Sequence, residues 1–159
     1  LTSTPIAVTS NEFDSRGVEF ELGWRVGAFS VTGGLTLTDA EITKSSNTAL
    51  EGKTPKRQAR AVWQLAPTWQ ATPDLMLGAS LVGTSSSKDD GPTGPLTITL
   101  PGYTAVNAFA SYAVSDRMTL SLAVNNLFDT IGYTESNDGR GAARSINGRT
   151  AKATLKYAF

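Results

Sequence analysis

The 159-residue sequence predicts an all-β chain, an antiparallel transmembrane β-barrel segment of about seven or eight strands. Three observations carry that reading. Apolar residues recur at every second position through most of the chain. The connections between these stretches alternate between short and long. Aromatic residues collect at the ends of the stretches rather than in their middles.

Period-two alternation marks a strand with one apolar and one polar face. Val18, Phe20, Leu22 and Trp24 share a parity against Glu19, Glu21 and Gly23. Phe29, Val31, Leu35 and Leu37 alternate with Ser30, Thr32, Gly34, Thr36 and Thr38, and Ala61, Trp63, Leu65 and Trp69 with Gln64, Thr68 and Gln70. Leu75, Leu77, Ala79 and Leu81 form a less clean set. The stretch from Tyr103 to Val114 is ambiguous, because Phe109 and Tyr112 fall on opposite parities. Met118, Leu120, Leu122 and Val124 follow, and the chain closes on Ala151, Ala153, Leu155, Tyr157 and Phe159. Residues 5–10 are a candidate eighth strand. No segment keeps an i, i+3, i+4 apolar stripe, so no helix is predicted.

Short turns fall at Arg25–Ala28, Ala71–Asp74 and Ser115–Arg117; long polar connections fall at 43–58, 85–100 and 129–147. A membrane barrel has short periplasmic turns and longer extracellular loops. In that topology Trp24, Phe29, Trp69, Tyr112, Tyr157 and Phe159 lie near the periplasmic ends of strands, and Phe13, Tyr103, Phe128 and Tyr133 near the extracellular ends. Two such aromatic girdles are expected at the two membrane interfaces. Phe20 and Trp63 sort less tidily. Glu19, Glu21, Gln64, Gln70, Asn125, Lys152 and Lys156 would face the lumen, and the opposite parity carries almost no formal charge across the central strand stretches. A charge there would cost about 2–4 kcal/mol at the lipid midplane.

Composition narrows function. Lys+Arg and Asp+Glu are equal at 14 each, so no charged field recruits nucleic acid. With no Cys and no His, thiolate nucleophiles, imidazole bases and the usual zinc ligands are missing. No run approaches the roughly 20 apolar residues of a spanning helix. Leu1-Thr-Ser-Thr-Pro5 does not read as a signal peptide, so for an exported protein Leu1 is not the expected start of the precursor.

Several segments resemble the carboxy-terminal portion of a TonB-dependent outer-membrane receptor. Ser15-Arg-Gly-Val-Glu-Phe-Glu21 is similar to the family's S-x-G-x-E-x-E strand, Gly52-Lys-Thr-Pro-Lys-Arg57 to the segment leading down from a long loop, and Pro101-Gly-Tyr-Thr-Ala-Val106 to the lead-in of a later strand. Asn126, Leu127, Phe128 and Asp129 match the N-L-F-D signature, and Gly148 and Arg149 the G-R that precedes the last strand. A terminal aromatic, here Phe159 after Tyr157, resembles the ending that the barrel-assembly machinery reads. The resemblance covers residues 15–159.

It implies that the chain is an arc of a barrel of about 22 strands, made by a much longer protein in the bacterial outer membrane. The plug domain and the segment that binds TonB would lie in the missing amino-terminal part. The whole would be a receptor and transporter for a scarce nutrient of siderophore-iron, cobalamin or saccharide type. This chain would supply barrel wall, extracellular loops and the assembly signal, with outer-membrane lipid, the assembly machinery and TonB as partners. No cofactor, metal or catalytic residue is expected. A self-contained eight-stranded structural barrel is the alternative, although residues 1–10 make a poor first strand. An enzyme would need a nucleophile–base pair, and none is spaced suggestively.

Candidate ligand contacts are Tyr133, Arg140 and Arg144, in the longest polar loop with aromatics. Glu19 and Glu21 read as lumen wall in preference to an acid–base pair. Asp89-Asp90-Gly91 reads as a solvated loop, since it lacks the ligand spacing of a calcium loop. Gly33-Gly34 sits mid-strand, where a barrel bends or backbones approach. Asp129 is expected to end its strand, Phe128 to anchor the interface, and Arg149 to make a structural pair.

Overall fold

The computed structural model describes residues 11–136 and 142–159. Within them run β1 (Asn11–Val26), β2 (Phe29–Ser45), β3 (Ala61–Gln70), β4 (Leu75–Thr84), β5 (Ser87–Gly91), β6 (Gly94–Leu100), β7 (Tyr103–Ser115), β8 (Met118–Asn125), β9 (Tyr133–Ser136), β10 (Ala143–Ser145) and β11 (Thr150–Tyr157). Seven of these form one antiparallel sheet in the order β1-β2-β3-β4-β7-β8-β11. They are the seven strands that the alternation predicts. The candidate eighth, at 5–10, lies outside the described residues.

Two of the long connections are not irregular loops. The 85–100 connection folds into the hairpin β5–β6, and the 129–147 connection contains the hairpin β9–β10. β1 and β2 run to 16 and 17 residues and project past β3, whose pairing with β2 stops at Leu37–Ala61. The extension therefore takes in the start of the 43–58 connection.

Directly opposite residues of an antiparallel ladder share a face, so the register sorts the sheet. One row runs Leu22, Gly33, Leu65, Leu81, Val106, and another Val26, Phe29, Trp69, Leu77, Ala110, Leu122, Ala153. These rows hold no formal charge. On the other face Arg25, Ser30, Thr68, Gly78, Phe109, Ala123 and Lys152 form a row. Hydroxyls and amides there bond across strands: Ser30 Oγ to Thr68 Oγ1 at 2.6 Å, and Asn107 Nδ2 to Ser80 Oγ at 2.9 Å.

The register also resolves the ambiguous strand. Tyr112 lies on the apolar face, opposite Leu75 and Leu120. Phe109 lies on the polar face with its ring over Gly78, where an added Cβ would sit 2.4 Å from the ring. Phe20 and Trp63, which with Phe109 lie outside the girdles, share one row, Phe20-Leu35-Trp63-Gly83. The Trp63 indole fills the space above Gly83. Phe109 and Trp63 thus break the simple pattern because a facing glycine makes room for each ring.

The sheet has almost no dry core of its own. Among the described residues the buried hydrophobics are Ala40, Ile42 and Leu100, whereas Phe20, Leu22, Trp24 and Leu122 are each at least 50% exposed. A contiguous bare apolar face of this kind, uncharged between the Val18–Leu37 row and the turns, needs a cover, and lipid supplies one. Trp24 and Phe29 meet edge to face at a 5.9 Å centroid separation beside the tight turn at Gly27, whose φ is 55°.

Candidate functional site

The three long connections gather at one end of the sheet, and their side chains build two polar centres. The first joins all three. Arg57, from the β2–β3 connection, donates through Nε to Asp89 Oδ2 on β5 at 3.0 Å and through Nη1 to Glu135 Oε1 on β9 at 2.9 Å. Its backbone N–H donates to the Lys88 carbonyl at 2.7 Å. Lys56 Nζ pairs with Asp90 Oδ2 at 2.7 Å. The Ser136 N–H donates to Asp89 Oδ2 at 2.7 Å, and the Ser136 hydroxyl donates to the Asp90 carbonyl.

Asp89 is fully enclosed, with 0% exposure. Burial pushes its carboxyl pKa up. The Ser136 N–H, the Arg57 guanidinium and the Asp90 N–H more than offset that and hold it below the ordinary carboxylate value of 3.8. The expectation of a solvated Asp-Asp-Gly loop is thereby overturned. The hairpin turns Asp89 inward beneath β9, and an arginine 32 residues away in sequence neutralises it. No local pattern points to this cluster; its only trace is complementary charge scattered over three predicted loops.

The second centre is the turn after β8. Asn126 is 4% exposed and holds a left-handed φ of 49°. Its Nδ2 donates to the carbonyls of Thr130 at 2.9 Å and Asn147 at 3.0 Å, and its Oδ1 accepts from Thr130 N–H at 2.8 Å. The Leu127 N–H donates to the Val106 carbonyl on β7 at 2.7 Å. Asp129, at φ 55°, accepts the Arg149 N–H at 2.8 Å through Oδ1. Asn and Asp suit both roles, since they tolerate the left-handed region and bond nearby backbone. The turn thereby ties β7, β8 and the lead-in to β11 together. Arg149 Nη1 reaches the Leu127 carbonyl at 3.4 Å, and Phe128 stands 70% exposed.

The candidate ligand contacts part company. Tyr133 lines an apolar cleft of about 470 Å³ between the two hairpins, with Pro92, Ile98, Leu100, Pro101 and Ala143. Arg144 is not part of that lining; its Nε lies 3.5 Å from Glu135 Oε2 and its side chain is 82% exposed. Arg140 lies outside the described residues. Glu19 and Glu21 stand on the polar face opposite Thr36 and Gly34. Among the described residues no three His, Cys, Asp or Glu side chains converge as a metal site. At the opposite end Tyr157 and Phe159 meet edge to face at 5.2 Å, and the Ala158 N–H bonds the Arg117 carbonyl at 2.9 Å.

Comparison with known proteins agrees with this geometry. Residues 3–127 match the family model described as TonB dependent receptor-like, beta-barrel. The chain is 29% identical over 158 residues to the metal-pseudopaline receptor CntO of Pseudomonas aeruginosa, covering 94% of this chain and 22% of that protein. The crystal structure of the siderophore receptor PiuA from Acinetobacter baumannii superposes with a TM-score of 0.80 at 23% identity, over 92% of this chain and 22% of that one. The closed form of the ferric-catecholate import receptor Fiu from E. coli K12 gives 0.79 at 24% identity, over 94% and 21%. The chain thus spans about a fifth of the length of the relatives it matches.

Proposed function

The chain belongs to the TonB-dependent receptor-like β-barrel family, a family of bacterial outer-membrane receptors rather than enzymes, and from that premise we propose that it is the carboxy-terminal wall and loop set of a nutrient importer. The observation that carries the reading is the pairing of a bare apolar face, uncharged where all seven strands run side by side, with a hydrogen-bonded polar face in one seven-stranded sheet. Lipid covers the first face, and the lumen of a larger barrel lies against the second. The edges of β1 and β11 require further strands, because open edges are not tolerated in lipid. Relatives several times longer favour this over a self-contained eight-stranded barrel.

In this reading the nutrient is a metal–siderophore complex, a class in keeping with the siderophore and metal receptors among the relatives. Tyr133 and Arg144, with Arg140, contribute ligand contacts at the extracellular rim. Tyr157 and Phe159 present the assembly signal, and energy arrives from TonB through a part of the protein outside this chain. The test is uptake of radiolabelled ferric-siderophore and metal–metallophore complexes by cells with and without the full-length receptor, with and without a protonophore. Protonophore-sensitive uptake of at least one complex that vanishes with the receptor is expected. Uptake of every complex unchanged by the deletion would reject the nutrient class.

A further inference from the structure

The hairpins β5–β6 and β9–β10 each form a separate two-stranded sheet, outside the seven-stranded one. They therefore lack the ladder that holds the wall together. What binds them to one another and to the β2–β3 connection is largely side-chain chemistry, and it converges on one residue. Arg57 belongs to the first connection, Asp89 to the second and Glu135 to the third, and the Arg57 guanidinium meets both carboxylates at 3.0 and 2.9 Å.

Arg57 reaches this position through a left-handed φ of 61°, and Leu96 beside the cluster holds 57°. Such conformations are strained for an L-residue and persist only where the surroundings enforce them. The enforcing contacts are the Arg57 N–H to the Lys88 carbonyl at 2.7 Å and the Leu96 N–H to Asp90 Oδ1 at 3.2 Å. Asp89 makes the arrangement cooperative. Its carboxylate is fully buried and is shared by Arg57 and the Ser136 N–H, so a loop that withdraws leaves a buried charge short of partners in the other two.

We propose that Arg57 is a positioning residue that makes the three extracellular connections one cooperative unit, opening and closing together. A partner that touches any one of them is then felt by the other two. This holds whichever nutrient the receptor carries.

Hydrogen exchange of the full-length receptor tests it, with wild type compared to Arg57→Ala, Arg57→Lys and Asp89→Asn. In the wild type, amides in 53–60, 87–100 and 133–136 should open with a common equilibrium. Arg57→Ala should raise exchange in all three segments by on the order of tenfold or more. Arg57→Lys, which keeps the charge but not the fork, should fall between. Asp89→Asn should accelerate the same three segments as a set. Unchanged protection in β3 and β4 would show that the barrel itself is intact. Faster exchange confined to 53–60 in Arg57→Ala, or three unrelated opening equilibria in the wild type, would overturn the proposal. Should Arg57→Ala fail to assemble, the Lys and Asn variants decide it by the same criterion.

Discussion

The wall and the rim of this molecule are held by different forces. In the wall, seven strands share backbone ladders, one face is uncharged where they run side by side, and the polar face is stitched by neutral bonds such as Ser111 to Ser121 at 3.3 Å. At the rim, short hairpins are joined by full charges, with Arg57 bridging Asp89 and Glu135. The difference follows from surroundings. In lipid a strand must satisfy its backbone within the sheet and keep charge off its outer surface. At the water boundary, ion pairs can carry the tertiary structure once backbone and neighbours enclose them.

The sharpest way to break the wall is to exchange its faces. Leu122 and Ser121 are neighbours on β8, the first 50% exposed on the apolar face and the second on the polar face. Leu122→Arg should destabilise the folded receptor in lipid vesicles by about 2–4 kcal/mol in denaturant titrations. Ser121→Arg should cost less than about 1 kcal/mol, since it loses one weak bond in a wet lumen. Equal penalties for the two would remove the face assignment.

The rim breaks differently. Asp89→Ala leaves Arg57 and the Ser136 N–H without their buried acceptor, and should cost about 2–3 kcal/mol of local loop stability. The loss should appear as faster exchange at 53–60, 87–100 and 133–136 together, with β3 and β4 unchanged. Acid should mimic it. The folded-state carboxyl of Asp89 titrates below its unfolded value of 3.8, so its contribution is complete above that pH and is lost as pH falls through the lower folded value. Arg57 pairs with it directly, and Asp90, Lys56 and Glu135 complete the same charged cluster. Rim protection, corrected for intrinsic rates, should stay level from pH 7 to about 4 and decline below, and Asp89→Asn should flatten that profile.

The signature turn stands between the two regions. Asn126→Ala removes three side-chain bonds and places alanine at a φ of 49°, an expected loss of about 2 kcal/mol measurable by the same titration. This turn was legible in the sequence because the side chains that build it sit in a short motif whose residue types announce left-handed, backbone-bonding positions, although some of their partners lie about twenty residues away. The strands were legible because a face in lipid forces strict alternation. Phe109 escaped that logic, and Trp63 escaped the sorting of aromatics to strand ends, because each depends on a glycine of the neighbouring strand, and cross-strand register is not written in either strand alone. The Arg57 cluster escaped it more completely. Its members are 32 or more residues apart, and charge in a predicted loop reads as solvation until the fold encloses it.

The smallest effect separates the two arginines that share Glu135. Arg57 lies 2.9 Å from one oxygen and is 36% exposed, whereas Arg144 lies 3.5 Å from the other and is 82% exposed. An exposed, loosely held pair contributes about 0–1 kcal/mol, because water screens it and a long side chain must be ordered to make it. Arg144→Ala should therefore leave denaturant midpoints and loop exchange within error of wild type, while Arg57→Ala does not. That neutrality makes Arg144 the clean probe of the rim's ligand chemistry. If it contacts an anionic metal complex, Arg144→Ala lowers uptake of that complex with the loops intact. If uptake is also unchanged, Arg144 is surface charge, and recognition at this edge of the barrel falls to Tyr133 and the apolar cleft it lines.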